Sequence, residues 1–235
     1  MKKAIGILGG MGPLATADLF RKIVDVTAAE RDGEHVRVYI DSDGAIPDRT
    51  AAILSGGEDP VEEMASALRH LELCGADCIV MPCNTAHYFL PRLQQRTRVP
   101  ILNMLSITAR CCAEGYPGQR AAVLATRGTL ATGLYDAALE RAGVEFLLPD
   151  EPERDQLMRL IYDVVKASRP LLPEKAAWQA LLEGLRRRGA DYFILGCTEL
   201  PLLARSLGGG PFVDPTEELA RYAVTYCGYP VRDRT

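Results

Sequence analysis

Residues 75–87 read GADCIVMPCNTAH, and residues 189–199 read GADYFILGCTE. In each, a Gly-Ala-Asp turn leads into four apolar residues, then into a cysteine with polar neighbours. An apolar run this short, bounded by turn residues, reads as a buried β-strand. The two Gly-Ala-Asp triplets lie 114 residues apart, and so do Cys83 and Cys197. A third match, Gly12-Pro13-Leu14-Ala15-Thr16 against Gly128-Thr129-Leu130-Ala131-Thr132, falls at an offset of 116 residues. Three matches in one order at nearly one spacing indicate a duplicated unit.

Working outward, short apolar runs alternate with helical patterns along the chain. Strands are expected at Ala4–Leu8, Val36–Ile40, Cys78–Met81, Ile101–Leu102, Ala121–Ala125, Val144–Leu148 and Tyr192–Leu195. Helices are expected at Leu14–Ala29, Val61–Leu73 and Ala86–Arg96, and near the end at Thr216–Thr225. This alternation indicates βαβ units with helices on both faces of a parallel sheet. The expected fold class is therefore α/β, with two pseudo-symmetric domains and a site in the cleft between them. Residues 1–104 would form the first domain and 105–207 the second, with 208–235 packing back onto the first.

Composition narrows the classes. A net charge of −4, with Lys and Arg scattered, lacks the basic stripe of a nucleic-acid groove. No apolar run approaches the roughly 18 residues of a membrane span. Met1-Lys2-Lys3 before an apolar run imitates a secretory signal, but Gly9, Gly10, Gly12 and Pro13 interrupt it, so a strand entering a glycine-rich loop is expected. Seven cysteines, an odd number in a chain of 235 residues, favour free thiols in a reducing cytoplasm. Cys74, Cys78 and Cys83 lack the paired spacings of a structural zinc site, and Cys74 and Cys78 are expected to pack as small hydrophobes.

In open α/β sheets ligands bind beyond the carboxyl ends of the strands, where both Cys83 and Cys197 fall. A thiol just before a helix meets unpaired N–H groups and a favourable dipole, which would lower its pKa toward neutrality. Two such groups on opposite faces of one carbon form a base and an acid: one removes a proton and the other returns it, inverting the centre.

The chain resembles the aspartate/glutamate racemase family along almost its whole length. The likeness rests on Gly9-Gly10-Met11-Gly12-Pro13-Leu14-Ala15-Thr16, Ile46-Pro47-Asp48-Arg49-Thr50, Pro82-Cys83-Asn84-Thr85-Ala86-His87 and Gly196-Cys197-Thr198-Glu199. It implies a racemase needing neither pyridoxal phosphate nor metal, commonly a homodimer, with Cys83 and Cys197 as its catalytic pair. It further implies that Arg49 and Lys166 hold the side-chain carboxylate of aspartate. Asn84, Thr85, Thr126 and Thr198 would hold the α-carboxylate and line the cleft, and Met11 and Glu199 complete the implied substrate-binding set. Cell-wall glutamate racemases carry Asp-Ser in the first glycine loop and His after the second Cys-Thr; Met11-Gly12 and Glu199 depart from that pattern. The expected activity is interconversion of L- and D-aspartate, with glutamate second; a broad-specificity amino-acid or hydantoin racemase is the alternative within the family.

Two other classes are open to the residues. Gly10-x-Gly12-x-x-Ala15 after a strand, with Asp41 closing the next, imitates a dinucleotide-binding oxidoreductase, although Pro13 removes an N–H that would hold the pyrophosphate. His87, four residues after Cys83, could form a Cys–His nucleophile, but that chemistry would leave Cys197 and the repeat unexplained.

Overall fold

The computed structural model describes residues 2–233, which divide into two compact units. Unit 1 runs to Ile107 and resumes at Thr216; unit 2 is Thr108–Pro215. Strand Phe212–Val213 pairs with its neighbour in unit 2, so residues 208–215 belong there and only the chain from Thr216 returns to unit 1.

In unit 1, β1 (Ile5–Gly9), β2 (Val38–Ser42) and β3 (Cys78–Val80) form a parallel sheet in the order β2-β1-β3. Ile101 adds a parallel bridge to Ile79 on the outer side of β3. In unit 2, β4 (Ala121–Leu124), β5 (Phe146–Leu147), β6 (Tyr192–Leu195) and β7 (Phe212–Val213) are ordered β5-β4-β6-β7, again parallel. Once Ile101 is counted, the two sheets repeat one order, as the sequence matches require. β1, β3, β4 and β6 are buried along their whole length, which is why they read as unbroken apolar runs.

Local chemistry explains the departures from expectation. β2 begins at Val38, not Val36, because its ladder follows β1 from Ile5↔Val38 to Gly9↔Ser42. The helix Pro13–Val26 stops before Thr27, whose hydroxyl donates to the Ile23 carbonyl and whose backbone bridges to Val231. The expected single helix Ala86–Arg96 is instead a tight 3₁₀ segment, Thr85–Phe89, followed by a short α-helix, Leu90–Gln94. Pro91 supplies no N–H to a continuing ladder, yet suits a first helical turn. Arg49–Leu54 is an additional short helix, capped by Asp48, whose side chain accepts from the Ala51 N–H at 2.8 Å. Cys74 ends the helix Val61–Cys74 exposed to solvent, against its expected packing role, whereas Cys78 is fully buried.

Unit 2 builds its core around Trp178, Leu182 and Leu185 of the helix Lys175–Arg187, packed with Leu160, Ile161 and Phe193. Burying each of these large side chains contributes roughly 1.5–3 kcal/mol. Trp178 satisfies its one donor by bonding the Gly208 carbonyl at 2.8 Å. In unit 1 the returning helix Pro215–Tyr226 is tied to Pro13–Val26 through Lys22, which donates to Thr216 and pairs with Asp18 at 2.6 Å. Among the described residues no helix is long and apolar enough to cross a membrane.

Candidate active site

Both glycine-linked strand ends are sterically specified. A Cβ at Gly10 would lie 1.9 Å from the Asp43 carbonyl oxygen, and the residue has φ of +89°, so only glycine fits. The Gly10 N–H donates to the Thr16 hydroxyl at 2.9 Å, and that hydroxyl donates to the Gly12 carbonyl at 3.1 Å. The loop thus spends polar groups on itself that a pyrophosphate would need. Asp41, the imagined ribose ligand, pairs with His70 at 2.8 Å. At Gly196 a Cβ would meet Tyr135 at 3.0 Å and the Leu124 carbonyl at 3.1 Å, so glycine lets β6 close onto β4 just before Cys197.

Cys83 is 7 % exposed and shares an apolar cluster with Leu8, Met11, Ile46 and Met81. Met11, itself 1 % exposed, contributes shape to this cluster and no polar contact. Asn84 and Thr85, which follow, are buried. His87 is also buried, and backbone groups occupy both of its ring nitrogens. The Met104 N–H donates to Nε2 at 3.1 Å, so Nε2 is the unprotonated nitrogen and Nδ1 donates to the Cys83 carbonyl at 2.9 Å. Burial pushes its pKa down to about 4. His87 therefore braces the Cys83 turn, and the Cys–His nucleophile is not assembled.

That arrangement has a measurable signature. His87 titrates near 6.5 in the unfolded chain and near 4 when folded, so the unfolded state binds the extra proton between those values. Stability is full above about pH 6.5 and falls as pH drops toward 4, by roughly 3 kcal/mol from this group. In thermal melts between pH 7.5 and 4.5, a His87→Gln protein should lose its midpoint less steeply than the parent. Parallel curves would mean that His87 is solvated.

Arg49 occupies the first turn of its helix, where a cation opposes the helix dipole, so helix stability does not account for it. Its side chain is drawn inward, 7 % exposed as a residue. Nη1 donates to the Ile46 and Pro47 carbonyls at 3.0 and 2.8 Å, whereas Nε is buried without a partner. Among the described residues no acidic side chain pairs with it. A buried guanidinium held by carbonyls alone is an incomplete ion pair.

In unit 2, Thr126 lies two residues beyond β4 and caps Arg127–Ala131, accepting from the Thr129 N–H at 3.2 Å. Cys197 lies three residues before the helix Leu200–Leu207. Its thiol donates to Glu199 Oε2 at 3.0 Å, and the Thr198 hydroxyl reaches the same oxygen at 3.3 Å. Lys166 closes an eight-residue π-helical stretch, Arg159–Lys166, and approaches Glu199 Oε1 at 3.6 Å while lying over the Tyr162 ring. Unit 2 thus brings Cys197, Thr198, Glu199 and Lys166 together. Burial, reinforced by the Glu199 charge, pushes the Cys197 thiol well above its ordinary range. This corrects the expectation that a helix end lowers it: the helix begins too late, and desolvation beside a carboxylate wins. A carboxylate two residues after the cysteine was the available signal, although only the fold shows where it points. Among the described residues no three His, Cys, Asp or Glu side chains converge as a metal-ligand set.

Comparison with known proteins bears on the family and the fold. Residues 8–223 match the Asp/Glu/hydantoin racemase family model. The chain is 28% identical over 233 residues to the broad-specificity amino-acid racemase RacX of Bacillus subtilis, covering 96% of this chain and 99% of that one. It is 30% identical over 177 residues to a glutamate racemase of Geobacter metallireducens, covering 68% of this chain and 58% of that protein. Among solved structures, the aspartate racemase of Picrophilus torridus superposes with a TM-score of 0.83 at 30% identity, covering 98% and 96% of the two chains. An α/β chain with two parallel sheets, each carrying a cysteine beyond a central strand, has the build of a two-domain racemase. The chain belongs to the Asp/Glu/hydantoin racemase family, and so is a racemase-class isomerase.

Proposed function

We propose that the protein interconverts L- and D-aspartate, and glutamate more slowly, without pyridoxal phosphate, using Cys83 and Cys197 for proton transfer. The observation that carries the acidic substrate is Arg49: a buried cation whose Nε lacks a partner, on the unit that holds Cys83. A substrate carboxylate supplies the missing acceptor, and a planar guanidinium suits it. Asn84, Thr85, Thr126 and Thr198 are assigned to the α-carboxylate and the walls, and Arg49 and Lys166 to the side-chain carboxylate.

In the forward sense the Cys83 thiolate takes the α-proton. The C–H bond breaks, its electron pair stays on carbon, and the Cys197 thiol protonates the opposite face. In the reverse sense the two exchange roles. Such groups contribute typically 10²–10⁴-fold each.

One observation favours a wider substrate range: Lys166 already has Glu199 as a counter-ion, so only half of the proposed carboxylate clamp is open. The similarity to RacX, a broad-specificity racemase, points the same way. A chiral assay over single amino acids, with purified protein and no added cofactor, decides between them. Aspartate is expected to be fastest. A faster neutral or basic amino acid would establish the wider reading, and activity only with added pyridoxal phosphate would overturn both.

A further inference from the structure

We propose that Glu199 is a positioning residue that holds Cys197 protonated in the unliganded enzyme, so that the two thiols start each cycle in unequal roles. The unequal roles rest on the racemase reading above; the protonation of Cys197 does not.

The geometry is specific. Cys197 and Glu199 are 7 % and 6 % exposed, and the Sγ-to-Oε2 distance is 3.0 Å. An ionised carboxylate is an acceptor only, so it stabilises S–H and opposes a thiolate beside it. Lys166 lies 3.6 Å from the other carboxylate oxygen as its counter-ion. Tyr135, which interacts electrostatically with this thiol, is kept protonated by burial, and Cys112 and Asp214 act on Tyr135 in the same direction. Lys166 acts on the thiol in the opposite sense, and burial with Glu199 outweighs it.

Unit 1 does not repeat the device. At the 114-residue offset that relates the cysteines, Glu199 corresponds to Thr85, a residue that carries no charge. The duplication has preserved the sulfur and changed what stands two residues behind it. The resting protonation is thus the one that serves the forward sense, with Cys83 accepting the α-proton and the Cys197 S–H bond breaking to protonate carbon. The electron pair left on Cys197 sulfur then takes a proton from water, because a thiolate against Glu199 is unfavourable, and Cys83 returns its proton to water. The reverse sense requires instead that Cys197 first give its proton to water and Cys83 take one up.

The test is the rate of iodoacetamide alkylation of each cysteine, resolved by peptide mass spectrometry across pH, in the parent and in Glu199→Gln. Alkylation follows the thiolate. Removing the charge should lower the midpoint for Cys197 by at least about one pH unit, and raise its rate at pH 8 roughly tenfold. Cys83 should be unchanged, and the fully buried Cys78 and Cys112 should stay unreactive, which reports an intact fold. An unmoved Cys197 midpoint overturns the proposal. If Glu199→Gln exposes Cys78 and Cys112, Lys166→Met decides: deleting the cation should raise the Cys197 midpoint, and any other result overturns the proposal. Chiral assays on the same samples separate the two claims. A shifted midpoint in a parent protein that racemises nothing would keep the protonation assignment and defeat the racemase reading.

Discussion

Cys83→Ser and Cys197→Ser should each lose aspartate racemisation by at least about a thousandfold, since a serine hydroxyl ionises far less readily than a thiol. On the two-thiol mechanism proposed above, each variant keeps one sulfur to serve one face of the substrate carbon. In heavy water that sulfur can still exchange the α-hydrogen of the enantiomer it faces, with retention of configuration. NMR of both variants with both enantiomers then gives a two-by-two pattern with signal on one diagonal. The diagonal should be uneven: Cys197→Ser retains Cys83, free of any carboxylate two residues on, and exchanges faster. Cys83→Ser retains the thiol bonded to Glu199 and exchanges more slowly. Equal exchange of both enantiomers by one variant would mean a single mobile base and would end the two-thiol account.

Arg49→Ala should cost about 2–5 kcal/mol in kcat/KM for aspartate, roughly 30- to 4,000-fold, the range for removing one partner of a desolvated charged pair. Stability supplies the internal control. An arginine present for folding would lower the melting temperature when removed. This one is buried with Nε unpaired, and among the described residues no acidic side chain pairs with it, so its removal relieves a desolvated charge and should leave the melting temperature unchanged or raised. Lys166→Ala should have the smaller effect, because Lys166 is 27% exposed at its side chain and already faces Glu199. Normal kcat/KM for aspartate in Arg49→Ala would defeat the acidic-substrate assignment.

What could be read from letters was what depends on local composition. β3 and β6 announced themselves because both are buried on two faces, and the cysteines beyond them were visible as the same residue at one offset. β7 was not legible: Phe212–Val213 has two residues, follows Gly208-Gly209-Gly210-Pro211, and exists because β6 offers an edge. The helix Arg49–Leu54 is too short to show a period, and the break at Leu90 depends on how Pro91 is used. Arg49 and Glu199 were visible as residues, but not their circumstances. That one guanidinium is buried short of a partner, and that one carboxylate turns back onto the preceding thiol, are consequences of packing. The protonation of Cys197 follows from packing in the same way, and a rule based on helix ends gave it the wrong sign.

The return of the chain to unit 1 has a consequence for synthesis. Unit 2 is one continuous stretch, Thr108–Pro215, and holds all its strands and core before the last helix exists. Unit 1 is made first but is finished last: Lys22 awaits Thr216, the Lys3 N–H awaits the Cys227 carbonyl, and Thr27 awaits Val231 and Arg232. On the ribosome, at about 5–20 residues per second, the earlier-born unit must wait several seconds while the later-born one can already close. Throughout that interval the buried Lys22–Asp18 pair lacks its cover, and the face of Pro13–Val26 that receives the final helix stays open to other chains. The order of completion thus reverses the order of translation, and the period of greatest exposure to misassembly falls on the half that carries Cys83 and Arg49.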